Sequence, residues 1–170
     1  MDDRHYATSG TVALATTLML VSVILMVTPL NLFGGLVPTP FFPLIVIFLF
    51  GLDRPADLSP FVTFAAGIIQ DLLFGAAIGP WASVYLLLHA AIIWQRGYFA
   101  GRDITVLTTG FAAAGFAAMT LYWFEMSILS DRTMPFFAMF WQFMVTVVVF
   151  PVCLIFFRRT IARQRPSLVA

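Results

Sequence analysis

Apolar residues gather along this chain in six runs, at roughly 9–28, 39–52, 59–76, 80–95, 104–124 and 135–157. A helix needs about 20 residues to cross the hydrocarbon of a bilayer. The first, fifth and sixth runs reach that comfortably, and the third nearly does. The second and fourth are short, and are accommodated by bilayer thinning or by burial inside a bundle. The expectation is an all-α integral membrane protein: one domain over 1–170 with six transmembrane helices.

Polar and helix-breaking residues separate the runs. Pro29, Gly34, Gly35, Pro38, Pro40 and Pro43 interrupt the chain between the first two. Each proline biases its predecessor away from helix, so this stretch is read as a structured apolar loop at the interface. Asp53 to Pro60 is a polar turn, with Ser59 and Pro60 an N-cap and first-turn pair for the third helix. Gly79-Pro80 opens the fourth helix in the same manner. Gly97, Gly101 and Asp103 divide the fourth from the fifth, and Ser130 to Pro135 the fifth from the sixth.

Charge then sets an orientation. Six spans put Arg4, Arg54, Arg96, Arg102, Arg158, Arg159, Arg163 and Arg165 on one side and only Arg132 on the other. Basic residues accumulate on the cytoplasmic side, so both termini are expected there. Trp81, Trp94, Tyr98, Tyr122, Trp123 and Trp141 lie near run ends, where an aromatic belt would sit. The stretch from about Gly10 to Thr28 is longer than a signal-peptide core and no A-x-A-like site follows it, so an uncleaved first membrane helix is expected.

Composition narrows the function classes. Of 170 residues, 61% are hydrophobic and 10% charged, against about 25% charged in soluble domains. Net charge is +1, which gives no field to attract nucleic acid. Cys153 is the only cysteine, so neither an intrachain disulfide nor a cysteine metal site is possible. No Walker A, GxSxG or HExxH pattern occurs, and no paired carboxylates share a helix face. Catalytic, cofactor and metal residues are therefore all expected to be none.

The distinguishing stretch is Gly67-Ile-Ile-Gln-Asp71-Leu-Leu-Phe-Gly75-Ala-Ala-Ile-Gly79-Pro80. Glycines four before, four after and eight after Asp71 are expected to form one slanted ridge where another helix approaches closely. A membrane acid is costly and needs a partner. About 18 Å in from Ser59, Asp71 lies near where the fourth helix starts and exposes unpaired N–H groups. Asp71 is expected to cap that start around Trp81 to Ser83, joining the third and fourth helices in a tight hairpin. Contact with a partner's helix and a cavity lining are the other readings. A proton relay is disfavoured, since no string of membrane acids exists.

Other polar residues carry weaker signals. His89, Gln70 and Gln142 are read as interhelical hydrogen-bonding groups, because no metal spacing surrounds His89. Glu125, Asp131 and Arg132 are expected in the outer loop between the fifth and sixth helices. Gly110, Gly115 and the alanines between and after them suit close packing against another helix, internal or foreign. Gly110, Gly115, Glu125, Asp131 and Arg132 thus form a candidate partner-contact set. The Arg158 to Arg165 tail meets anionic headgroups.

The proline-broken second run, the short polar turn and the Gly67-x-x-x-Asp71-x-x-x-Gly75-x-x-x-Gly79 pattern together resemble the rod shape-determining protein MreD family. Length, six-run hydropathy and the short Arg-rich tail are similar too. The resemblance implies a fold like the substrate-binding S component of energy-coupling factor transporters. It implies a non-enzymatic bacterial inner-membrane subunit of the elongation machinery. MreC would be a direct partner; MreB, RodA and penicillin-binding protein 2 would belong to the same complex. The family's motif falls on Gly67, Asp71, Gly75 and Gly79. A vitamin- or small-molecule-binding S component is the alternative. It needs several convergent polar groups on the outer face, where this chain offers mainly Glu125, Asp131 and Arg132. A third reading, a lipid-carrier-binding protein, fits the apolar loops but lacks a basic cluster on the outer side.

Overall fold

The computed structural model describes residues 9–28, 38–75, 77–129 and 136–163. The described residues form helices α1 (Ser9–Val27), α2 (Phe42–Asp53), α3 (Pro60–Phe74), α4 (Pro80–Phe99), α5 (Ile104–Leu129) and α6 (Phe136–Arg163), and no strand. Three of them, α1, α5 and α6, are long and apolar enough to cross a membrane; α2 and α3 are shorter apolar helices.

Local chemistry explains the helix starts. The Ser59 hydroxyl accepts from the Phe61 amide at 3.3 Å, and Pro60 occupies the first turn, where its missing N–H costs nothing. The Asp103 carbonyl accepts the first bond of α5 from the Leu107 amide. Three helices run further than the apolar runs imply, α6 reaching Arg163 where its run ends at 157. α4 continues to Phe99 and absorbs Gly97, so Gly101, at φ 73°, makes the turn. α5 continues to Leu129, because no glycine or proline interrupts it after Gly115.

Successive helices alternate in direction. Phe41 meets Trp81 and Phe48 meets Phe99, so α2 and α4 run the same way. Phe50 meets Phe157, which aligns α6 with them. The late-α3 residue Gln70 reaches the late-α1 residue Met26. Arg54, Arg96, Arg102, Arg158, Arg159 and Arg163 consequently all fall at the end where the odd helices begin and the even ones finish.

The centre of the bundle is the α2–α4 pair. α1 and α3 pack on one side of it, α5 and α6 on the other. Nearly all of α2 is buried, from Pro43 through Leu52 with few gaps. Twelve residues suffice there because its surroundings are protein. Phe48, Phe111 and Phe150 tie α2, α5 and α6 together: the last two rings stack at 4.1 Å and Phe48 meets both edge-on. The stretch before α2 is clamped by α6. Gln142 donates to the Thr39 carbonyl at 2.8 Å, and the Phe41 amide donates to the Thr146 hydroxyl at 2.9 Å.

The aromatic belt is only partly realised. Trp94, Tyr98 and Trp141 are exposed, whereas Trp81 and Tyr122 are buried and stack on each other at 4.1 Å. The two rings lie on facing sides of α4 and α5, and an aromatic near a helix end packs inward when its face does.

Candidate functional site

The hairpin from α3 to α4 is built on one carboxylate. Asp71 is fully buried, one turn before the end of α3. Its Oδ2 accepts from the Gly79 amide at 2.8 Å and its Oδ1 from the Trp81 amide at 3.2 Å. The first amides of a helix have no carbonyl partner within it. Both oxygens of Asp71 serve that role for α4, and the negative charge sits at the positive end of the helix dipole. The sequence reading placed this contact at Trp81 to Ser83; in the structure it begins two residues earlier, because the Ser83 amide already bonds the Gly79 carbonyl.

The motif glycines do not share one job. Gly67 is the close approach: a methyl group there would meet backbone atoms of α4, 2.5 Å from the Ala82 nitrogen and 2.8 Å from the Trp81 carbonyl carbon. Gly75 and Gly79 have open space where a side chain would go, so the expected ridge does not exist beyond Gly67. Gly75 ends α3 in the left-handed conformation, φ 61°, and its amide caps the carbonyls of Asp71 and Leu72. Gly79 has φ 125° and turns the chain into Pro80, the first residue of α4. Both conformations favour glycine because a Cβ would clash with the backbone. Four-residue spacing here reflects a helix end and a turn, not a packing stripe.

A second acid reaches the same helix start. Glu125 lies on α5 and not in a loop, and its carboxylate accepts from the Ser83 hydroxyl, 2.7 Å from Oε2. Behind the hairpin, the Tyr85 hydroxyl donates to Gln70 Oε1, and Gln70 Nε2 approaches Met26 Sδ at 3.3 Å. The chain therefore gathers Gly67, Asp71, Gly79, Pro80, Ser83 and Glu125 around one turn. A lone acid within an apolar helix pointed to half of this. The Ser83–Glu125 contact is not legible in the sequence, because the fifth apolar run stops at 124 and puts Glu125 in a loop.

The remaining candidate residues are elsewhere. Gly110 faces the Phe99 ring and Gly115 faces Phe143, whose Cε2 lies 2.8 Å from where a methyl would be. Aromatic side chains of this same chain fill both notches, so neither glycine is open to a foreign helix. Asp131 and Arg132 lie outside the described residues. His89 is 1% exposed, and its Nε2 has no hydrogen-bond partner among the described residues, contrary to the interhelical bond expected of it. Among the described residues no group of three or more His, Cys, Asp or Glu side chains could hold a metal ion.

What this arrangement can do is mechanical. Each oxygen of Asp71 is engaged by a backbone amide, which fixes two helices at backbone contact distance. No family model, curated protein or solved structure matches the chain.

Proposed function

We propose that this protein is a non-enzymatic inner-membrane subunit of the bacterial elongation machinery, of the MreD type. In this reading it crosses the membrane six times with both termini cytoplasmic, binds an MreC-like single-span partner, and so helps position lateral wall synthesis and maintain cell shape. MreB, RodA and penicillin-binding protein 2 belong to the same assembly.

The observation that carries the reading is the α3–α4 hairpin. Its buried acid is consumed by two backbone amides, and the close glycine contact lies beside it. That is how a rigid packing platform is made in lipid. The alternating helix directions and the arginines gathered at one end support six spans and cytoplasmic termini. The S-component alternative needs several convergent polar groups free to meet a ligand, whereas at the start of α4 Asp71 is held by backbone amides and Glu125 by the Ser83 hydroxyl.

Affinity purification in mild detergent tests the proposal. The tagged protein, co-expressed with an MreC-like single-span protein, is expected to retain that partner and no small metabolite. Retention of a vitamin-sized molecule without the partner would overturn it.

A further inference from the structure

At the arginine-bearing end, α1 and α6 both pack on α2 but do not pair with each other along their lengths. The cleft between them is lined by Thr11 and Leu14 of α1, Phe50 and Arg54 from α2 and its end, and Phe157 and Thr160 of α6, with Asp57 behind Arg54. The lining has a vertical order. Each of the three segments of the wall offers a polar residue towards the end of the bundle and, one turn deeper, an apolar one: Thr11 above Leu14, Arg54 above Phe50, Thr160 above Phe157. Residues three or four apart on a helix share a face, so each pair looks into the same cleft.

We propose that this cleft seats one phospholipid, with its phosphodiester on Arg54 and the start of an acyl chain along Leu14, Phe50 and Phe157. The inference rests on the chain spanning a bilayer, with this end at a headgroup layer. A guanidinium presents five donors. Asp57 occupies one of them at 3.4 Å, and Thr11 holds Asp57 in turn at 3.0 Å. Arg54 is thereby fixed at the rim with donors to spare, and its side chain stays 25% exposed. Phosphate oxygens are the natural partners of such a fork. The cleft encloses about 30 Å³, too little for a whole soluble metabolite but enough for the start of one chain of a lipid whose remainder stays in the bilayer.

The Arg54–Asp57 pair carries no net charge. Recognition is therefore of the phosphodiester and the chain together, and not of negative charge in general. This separates the seat from the headgroup attraction that exposed arginines exert anywhere on that face.

Native mass spectrometry of the full-length protein tests the seat, using phosphatidylethanolamine, phosphatidylglycerol and a diacylglycerol of the same chains. One molecule of either phospholipid is expected to be retained to a similar degree, and the diacylglycerol at least about tenfold less, as the loss of a charge-assisted contact implies. The R54Q/D57N double variant, which removes the cation without stranding the buried acid, should bring both phospholipids down to the diacylglycerol level. L14W, which fills the cleft and spares Arg54, should do the same. R96Q, at the exposed end of α4, should change nothing. Equal retention of diacylglycerol, a strong preference for phosphatidylglycerol, a matching loss in R96Q, or binding that survives L14W would each overturn the seat. Partner retention is scored separately, so failure of the lipid site and failure of the proposed function are distinguishable.

Discussion

Replacing Asp71 separates a structural cap from a dispensable acid. The carboxylate receives two amides on different oxygens, at 2.8 and 3.2 Å, inside a fully buried position. Asn keeps one acceptor oxygen, so Asp71→Asn retains one bond and turns an amide NH₂ toward the other donor. A hydrogen bond to a charged group contributes about 1.5–3 kcal/mol, and a buried orphaned donor costs about 1–3 kcal/mol. Relief of the buried charge offsets part of this, since desolvating a carboxylate costs several kcal/mol. The net loss for Asp71→Asn is therefore about 1–2 kcal/mol. Asp71→Leu gains the same relief but orphans both amides. Neither has a carbonyl partner within α4, because both precede Ser83, whose amide makes the first bond of that helix. Its loss is about 3 kcal/mol or more. Thermal unfolding in detergent, read as the midpoint for loss of folded protein, should rank wild type above Asn and Asn above Leu. A Leu variant as stable as wild type, or more stable than Asn, would refute the cap.

Gly67→Ala should be the most damaging single added methyl, about 2 kcal/mol or more, because it strikes α4 backbone that cannot step aside. Gly115→Ala meets the edge of the Phe143 ring, a side chain and not backbone, and should cost less, about 1 kcal/mol; the opposite ranking in the same melt would reject the distinction. His89→Leu should leave the midpoint unchanged or raised, since Nε2 is buried without a partner. A loss beyond about 1 kcal/mol would expose a hydrogen bond at Nε2 that the described residues do not supply.

Much of this fold was legible because long apolar helices announce themselves by length and by the residues that start them. Ser59-Pro60 and Gly79-Pro80 fixed two helix starts to the residue, and a single acid in an apolar run had to find amides. The roles of Gly75 and Gly79 were misread because spacing by four is shared by a packing stripe and by a helix that stops one turn after its acid. The deciding signal was present. A helix starting at Pro80 leaves no room for α3 to pass Gly75 and still turn. Burial of Trp81 and Tyr122 was not legible at all, because the choice between belt and core depends on which helix lies opposite, and that is set by the packing of the whole bundle.

The two acids at the start of α4 both have structural partners. Asp71 is fully buried with both oxygens on backbone amides. Glu125 is half-buried and engages a serine hydroxyl whose other neighbour is the Pro80 carbonyl. One acid holds the first amides of α4 and the other holds its first turn to α5, so α3, α4 and α5 are fixed to one another at a single point. With the glycine contact at Gly67 on one side and the Trp81–Tyr122 stack on the other, drawing the start of α4 away from α3 would break the Asp71–amide bonds. Under the proposed function, that fixed point is what a platform for partner helices would need.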